Sequence, residues 1–184
     1  MGLELIKNLK ENCWSDVSVV DFEKLISSNF NILGSIINLS IDNIPNYSWR
    51  TAWLIFKSIN KKNDDRYLPY IDKFISGLEG KESSHKRELF KIILMFDLNE
   101  DQDGLLYNIA VDTWINTKLK PSTRFYAIIH ILKIADKYPL LRKEIDFLLD
   151  NHYLDSLSNG IRSSIIKKIN SSKKNIQKEK RTTQ

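Results

Sequence analysis

The stretch Ser48-Trp49-Arg50-Thr51-Ala52-Trp53 decides the fold, because its arginine is the first of a regular series. The gaps between successive members are 37, 37 and 38 residues, and the other members are Arg87, Arg124 and Arg162. An apolar residue follows three positions after each arginine: Trp53, Phe90, Ala127 and Ile165. A fixed period of about 20–50 residues indicates a stack of similar supersecondary units.

A second apolar series lies between the arginines. Phe74, Val111 and Leu148 are each 37 residues apart, and Ile37 lies 37 residues before Phe74. Together the two series predict a unit of two antiparallel helices, A and then B, used almost four times. We expect A helices near 30–41, 66–78, 105–117 and 139–151, and B helices near 48–60, 84–97, 122–137 and 158–170. Two further helices, near 3–11 and 19–28, do not match the repeat and should cap its first unit.

A serine stands close to the start of every predicted B helix. These serines are Ser48, Ser84, Ser122 and Ser158. Because a serine hydroxyl can accept a bond from the first free backbone N–H groups of a helix, we predict that they are the N-caps.

The positive charge is concentrated at the end of the chain. Of the 28 basic and 23 acidic residues, five basic and one acidic lie after Asn170, so the net charge of +5 divides into +4 there and +1 elsewhere. Connections between predicted helices are short and polar. We therefore expect one domain over residues 1–170 and a disordered basic tail over 171–184.

Most functional classes find no support in the composition. The single cysteine, Cys13, excludes a disulfide framework within the chain, and no signal peptide is evident, so we expect a cytoplasmic protein. No nucleophile elbow, phosphate loop or dinucleotide fingerprint is present. The histidines His85, His130 and His152 have no zinc-ligand spacing. We therefore predict no enzyme activity, no cofactor and no metal site.

Three smaller patterns have a structural reading that we prefer. The run 99–104 resembles the start of a calcium loop, but its twelfth position is Ala110, so we expect a loop that caps the next helix through Asp103. His85 and Glu88 form the one close histidine–carboxylate pair of the sequence, and they lie in the first turn of a predicted B helix, where a glutamate suits the helix dipole. His130 falls on an apolar face and should be a core histidine.

The start of the B helix resembles that of the HEAT repeat family. The residues that carry the resemblance are Trp49-Arg50-x-Ala52, Thr123-Arg124-x-x-Ala127 and Ile161-Arg162, and segments around them resemble small bacterial HEAT-like proteins. The resemblance covers about residues 30–170. It implies an all-α fold, a right-handed α-α superhelix (HEAT-like solenoid) of about four helix pairs with N-terminal cap helices.

The chain departs from the HEAT pattern six residues before each arginine. HEAT units usually carry an aspartate there, whereas this chain has Ile44, Lys81, Lys118 and Ser156. We therefore expect the arginines to pair with other groups. We predict that Arg50, Arg87, Arg124 and Arg162 are repeat-structural residues, which bond neighbouring carbonyls or acids and fix the stacking of the units.

A protein-binding or peptide-binding scaffold is the function that the sequence favours. The concave surface formed by the B helices would bind the partner. We predict that a mildly basic part of this surface contacts an acidic protein, through Lys57, Lys91, Lys133 and Lys167.

Two alternatives remain open. The first is a DNA-binding protein, or one that excises alkylated bases with Asp112, Trp114 and Arg124; it requires a positive groove, whereas the body of the chain is nearly neutral. We expect the tryptophans to pack in the core instead. The second alternative is a regulatory enzyme subunit without its own active site.

Overall fold

A computed structural model of the protein describes residues 17–28 and 30–169. The predicted helix at 3–11, Cys13, Trp14 and the predicted tail at 171–184 lie outside the described residues. Within the described ranges every regular element is a helix, as the sequence predicted. The chain divides into two compact units, Met1–Gln102 and Asp103–Gln184.

The described helices of the first unit alternate as the period predicts. They are α1 (Val19–Ser28), α2 (Leu33–Ile41), α3 (Ser48–Ser58), α4 (Ile71–Ser76) and α5 (Ser83–Ile93). Short 3-10 turns, Phe30–Ile32 and Leu68–Tyr70, lead into α2 and α4. Helix α1 is the predicted cap helix, α2 and α4 are A helices, and α3 and α5 are B helices.

The second unit continues the same alternation. Helix α6 (Glu100–Ile115) begins in the first unit and is an A helix, and α7 (Pro121–Lys137) is a B helix. A 3-10 turn, Pro139–Leu141, leads into α8 (Arg142–Leu148), an A helix. The short α9 (Asn151–Leu154) was not predicted, and α10 (159–169) is the last B helix.

The serines predicted as N-caps do not occupy that position at three of the B helices. The N-cap residues of α3, α5 and α7 are Tyr47, Glu82 and Lys120, and none of them makes a side-chain capping bond. Ser48, Ser84 and Ser122 lie inside the first turn instead. The Ser48 hydroxyl accepts a bond from the backbone N–H of Ile44, which holds the preceding loop rather than the helix end.

The start of α6 is capped by a reciprocal pair. The side chain of Asn99 accepts from the Gln102 N–H at 2.9 Å, and the side chain of Gln102 accepts from the Asn99 N–H at 3.1 Å. Such a capping box satisfies two backbone donors at once. It explains why α6 begins at Glu100 rather than near residue 105. The predicted cap through Asp103 was wrong, because Asp103 is buried and bonds to Lys137 and Tyr138.

Side-chain hydrogen bonds join positions about one repeat apart in each unit. In the first unit, the Asn63 amide donates to the Asp97 carboxylate at 2.9 Å, and Lys73 donates to Asn38 at 3.1 Å. In the second, the Trp114 indole donates to the Leu148 carbonyl at 2.7 Å. These bonds hold successive helix pairs in register.

The apolar positions of the repeat form the core of each unit. Ile37, Phe74 and Phe90 are buried in the first unit, and Trp114 and Ala127 in the second. His130 is also buried, as predicted. Within residues 17–28 and 30–169, no helix is both long and apolar enough to span a membrane.

Candidate functional site

Arg124 lies entirely inside the second unit. Its side chain is 0% exposed and donates to the Trp114 carbonyl at 2.8 Å, the Tyr153 carbonyl at 2.8 Å and the Ser156 hydroxyl at 2.5 Å. The guanidinium also lies 4.7 Å from the centre of the Trp114 ring. These groups carry no formal charge, and burial lowers the pKa of Arg124. The side chain thus joins the end of α6 to the segment before α10.

Arg87, which has the same place in the first unit, is bound differently. Its guanidinium donates twice to one oxygen of Glu88, at 3.0 and 2.9 Å, while Lys91 binds the other oxygen. The carboxylate is 0% exposed, whereas the side chains of Arg87 and Lys91 are 33% and 13% exposed. A buried carboxylate between two cations is well compensated. Both cations are then paired with Glu88.

The outer two arginines of the series have different partners again. Arg50 donates to the Val17 carbonyl at 3.4 Å, and its guanidinium lies 4.0 Å from the centre of the Trp53 ring. Arg162 forms an ion pair with Asp155 at 2.8 Å near the surface. The four arginines therefore share a phase in the sequence but have four different environments.

The four lysines predicted to bind a partner are not equivalent. Lys57, Lys133 and Lys167 are exposed, and Lys57 lies 5.9 Å from the ring centres of both Trp53 and Phe56. Lys91 is largely buried, and its ammonium binds Glu88 above the Phe56 ring. Because that charge is already compensated, Lys91 does not offer a free cation to a partner.

A cleft of about 410 Å³ opens between the first turns of the two B helices of the first unit. We call it the Trp49 cleft; its walls are the loop 43–46, Trp49, Gly80, Glu82, Ser84 and His85. Trp49 is 39% exposed, so the prediction that the tryptophans pack in the core was wrong for this residue. Two of the lining residues have a left-handed backbone conformation: Asn46 with φ 66° and Gly80 with φ 64°.

His85 forms the inner wall of the Trp49 cleft. Its Nε2 atom donates to the Ser40 carbonyl at 2.6 Å, and burial lowers the pKa of the imidazole, so the ring is neutral at pH 7. Since Nε2 carries the proton, Nδ1 is an acceptor. His85 and Glu88, a close pair in the sequence, bind different groups: the Glu88 carboxylate accepts from Arg87 and Lys91, and His85 donates to the Ser40 carbonyl.

A cleft of about 380 Å³ has the corresponding position in the second unit, between the starts of α7 and α10. We call it the Tyr126 cleft; it is lined by Ser122, Phe125, Tyr126, Ser158, Gly160, Ile161 and Ser164. Phe125 and Tyr126 are half-buried, and their rings meet edge to face at 5.4 Å. Each unit therefore presents an aromatic cleft at the start of its B helices.

The residues proposed for base excision do not meet at one surface. Asp112 is exposed, but Trp114 and Arg124 are both fully buried and bonded to backbone carbonyls. A flipped base needs an aromatic face to stack on, and the face of Trp114 is covered. The residues on which the base-excision alternative depended therefore do not form a site for a flipped base.

No metal site accompanies these clefts in the described part of the chain. Residues 17–28 and 30–169 contain no cluster of three histidine, cysteine, aspartate or glutamate side chains that could hold a metal ion. The run 99–104, which resembles a calcium loop, lies largely within the first turns of α6.

Sequence reasoning missed the Trp49 cleft. It had noted Trp49 only as the first residue of a B-helix motif, and it had assigned Glu82 no role. One signal was available: Trp49 stands before Arg50 at the predicted start of a B helix, beside a loop, and is not part of the apolar series that begins three positions after each arginine. The turn residues Asn46 and Gly80 were further signs that two loops meet there.

Comparison with known proteins agrees with this architecture. A family model described as HEAT repeat domain matches residues 6–173. Searches of curated proteins and of solved structures found no match. Because the family model covers most of the 184 residues and the described regular elements are all helices, the chain belongs to the HEAT repeat domain family and has an α-helical solenoid fold.

Proposed function

We propose that this protein is a non-enzymatic scaffold that binds a protein or peptide at the starts of its B helices. Helical repeat scaffolds of the HEAT family often mediate protein interactions, which supports the general class. The observation that carries the finer proposal is the pair of aromatic clefts, one in each unit at the corresponding point of the repeat.

The chemistry of the two clefts suits a polypeptide ligand. Exposed or half-buried aromatic rings provide contact area, while neighbouring asparagine, serine and glutamate side chains offer hydrogen bonds. Aromatic side chains are enriched among residues that dominate binding energy at protein interfaces. Both clefts are open, as an extended chain requires.

The lysines contribute to this proposal with one revision. We retain Lys57, Lys133 and Lys167 as contacts for acidic groups of a partner, because their side chains are exposed. We omit Lys91, whose ammonium already binds the buried Glu88 carboxylate.

Selection from a random peptide library on the full chain, followed by affinity measurements with variants, tests the proposal. We expect selected peptides to lose at least about tenfold in affinity on Trp49→Ala or Tyr126→Ala, as for a central aromatic contact. Leu68→Ala is a matched control, because Leu68 is 40% exposed but belongs to an A-helix turn. Peptides that bind all variants equally would contradict the proposal.

The DNA-binding alternative is tested in the same series. A copy that ends at Asn170 lacks the basic segment, and the rest of the chain has a net charge of only +1. We expect any affinity for duplex DNA to disappear with this truncation, because the charge that would bind phosphates has been removed. DNA binding that persisted in the truncated copy would favour the alternative.

A further inference from the structure

The walls of the Trp49 cleft carry hydrogen-bond acceptors and one aromatic face. Glu82 is the N-cap residue of α5, but its side chain makes no capping bond and is exposed. A carboxylate that is not bound to its own helix is available to a ligand. The adjacent loop 43–46 provides the side-chain amides of Asn43 and Asn46.

Trp49 supplies a surface that favours cations. The ring is 39% exposed on the wall of the cleft, and a cation above the face of an indole is attracted by its quadrupole. The same helix already shows this chemistry one turn later, where the Arg50 guanidinium lies 4.0 Å from the centre of the Trp53 ring. A partly exposed tryptophan ring that lines the same cleft as a carboxylate is a suitable environment for a second cation.

His85 adds an acceptor instead of a competing charge. Its Nε2 proton is donated to the Ser40 carbonyl, and the burial that lowers the pKa of the imidazole keeps the ring neutral. The Nδ1 lone pair of a neutral ring can accept a bond from an ammonium or guanidinium. A protonated imidazole in this position would repel such a group.

Among the residues that line the cleft, Glu82 is the one with a charged side chain. Asp42 and Lys81 are sequence neighbours of lining residues and do not themselves line the cleft. Burial lowers the pKa of Lys81, while the charge of Asp42 opposes this shift, so these two groups interact with each other. The Glu82 carboxylate is therefore the charged group that the cleft itself offers to a ligand.

We propose that the Trp49 cleft binds a lysine or arginine side chain of the partner polypeptide, with the cation between the Trp49 ring and the Glu82 carboxylate. This inference rests on the proposed scaffold function and defines the chemistry of one of its two sites. It differs from the lysine contacts, which would bind acidic groups elsewhere on the same partner.

Titration of the ¹⁵N-labelled full chain, observed by NMR, tests the inference. The probes are three nine-residue peptides, acetylated and amidated, that are identical except for a central arginine, citrulline or glutamate. We expect the arginine peptide to shift the Trp49 indole signal and the amide signals of Gly80 and Ser84. Citrulline has the shape of arginine without its charge, so we expect it to bind about fivefold more weakly, and glutamate weaker still.

Two variants and one control assign the effect to the cleft. Glu82→Gln keeps the size of the side chain but removes its charge, and Trp49→Ala removes the aromatic face; each should weaken the arginine peptide about fivefold. Glu79→Gln is the matched control, because Glu79 is exposed and close in sequence but does not line the cleft. The control should leave the affinity unchanged.

The possible outcomes separate the inference from the proposed function. Equal binding of the arginine and citrulline peptides, preference for glutamate, or no shift at Trp49 up to about 10 mM peptide would overturn the cation site. Library peptides that still depended on Trp49 would then leave the scaffold proposal standing. Library peptides that ignored both clefts would overturn the scaffold proposal itself.

Discussion

Arg87 and Arg124 have the same position in successive repeats, yet the protein uses them in different ways. Arg124 is enclosed and satisfied by two carbonyls, a hydroxyl and an aromatic ring, all of them neutral. Arg87 is one-third exposed and binds a buried carboxylate that it shares with Lys91. One arginine joins segments that are distant in sequence, whereas the other neutralises a charge on its own helix.

The difference shows what a repeat period does and does not specify. A recurring arginine indicates that each unit has a place for a long, hydrogen-bonding cation at the start of its second helix. The partner depends on the segments packed around that place. Ser156, which stands where HEAT units usually carry an aspartate, accepts a bond from Arg124 of the preceding repeat. The usual aspartate–arginine contact is thus replaced by a neutral one.

The largest expected effect follows from truncation of the buried arginine. Arg124→Ala should lower the free energy of unfolding by about 3 kcal/mol or more, because it leaves the Trp114 and Tyr153 carbonyls without their donor in a buried site. Urea denaturation followed by circular dichroism measures this change. Arg124→Lys, which keeps the charge but not the forked geometry, should recover only part of the loss. A loss below about 1 kcal/mol for the alanine variant would show that the contacts are not structural.

A smaller loss is expected around Glu88. Glu88→Ala leaves the Lys91 ammonium, 13% exposed, without its counter-charge and should cost about 2–3 kcal/mol. Arg87→Ala should cost only about 1 kcal/mol, since Lys91 still compensates the carboxylate. Unfolding curves of both variants and of the double variant measure how strongly the two sites are coupled. Equal losses for Arg87→Ala and Arg124→Ala would break the contrast between the two arginines.

Acid should weaken the first unit through His85. The pKa of His85 is lowered in the folded state, mainly by burial, so between the folded pKa and the unfolded value of 6.5 the unfolded chain binds more protons. Stability from the neutral ring is therefore complete above pH 6.5 and decreases as the pH falls below it. Urea midpoints at pH 7.5 and 5.5 measure the change.

His85→Gln keeps a donor for the Ser40 carbonyl but cannot titrate in this range, so it should reduce the pH dependence. The control, His152→Gln, replaces an exposed histidine and should leave the dependence as it is. An identical pH dependence in the His85 variant and the parent protein would exclude the proposed origin.

The smallest effect belongs to the last arginine of the series. Arg162 and Asp155 form an ion pair whose side chains are 38% and 62% exposed. Exposed pairs contribute little, so Arg162→Ala should cost less than about 1 kcal/mol, and salt should reduce the difference further. Thermal unfolding at low and high ionic strength measures both. A loss as large as that of Arg124→Ala would mean that position in the repeat, rather than burial, determines the contribution.

The helices and their order could be predicted because their signals are local. The spacing of apolar residues and the period of the arginines lie in the sequence itself, and α1 to α8 and α10 appear close to their predicted positions. Helix ends were less predictable. The start of α6 depends on a reciprocal bond between Asn99 and Gln102, and at three B helices the N-cap residue lies one or two residues before the serine that was expected to be the cap.

The candidate sites could be predicted only in part, because a cleft is made of residues that are distant in sequence. The Trp49 cleft joins the loop 43–46 to residues near Gly80 and Glu82, more than thirty positions later. Whether Lys91 presents a free charge depended likewise on the burial of Glu88 beside it. Neither fact has a signature in a single stretch of chain.

The sequence by itself determined the all-helical class, the repeat and the positions at which each unit has an arginine. These features are local, because the spacing of apolar residues shows which side of a helix faces the core. The tertiary structure alone decided which cations are enclosed, which are exposed and which aromatic ring faces a cleft. Burial arises when separate helices pack, and burial sets both the energy of a charged contact and its availability to a partner.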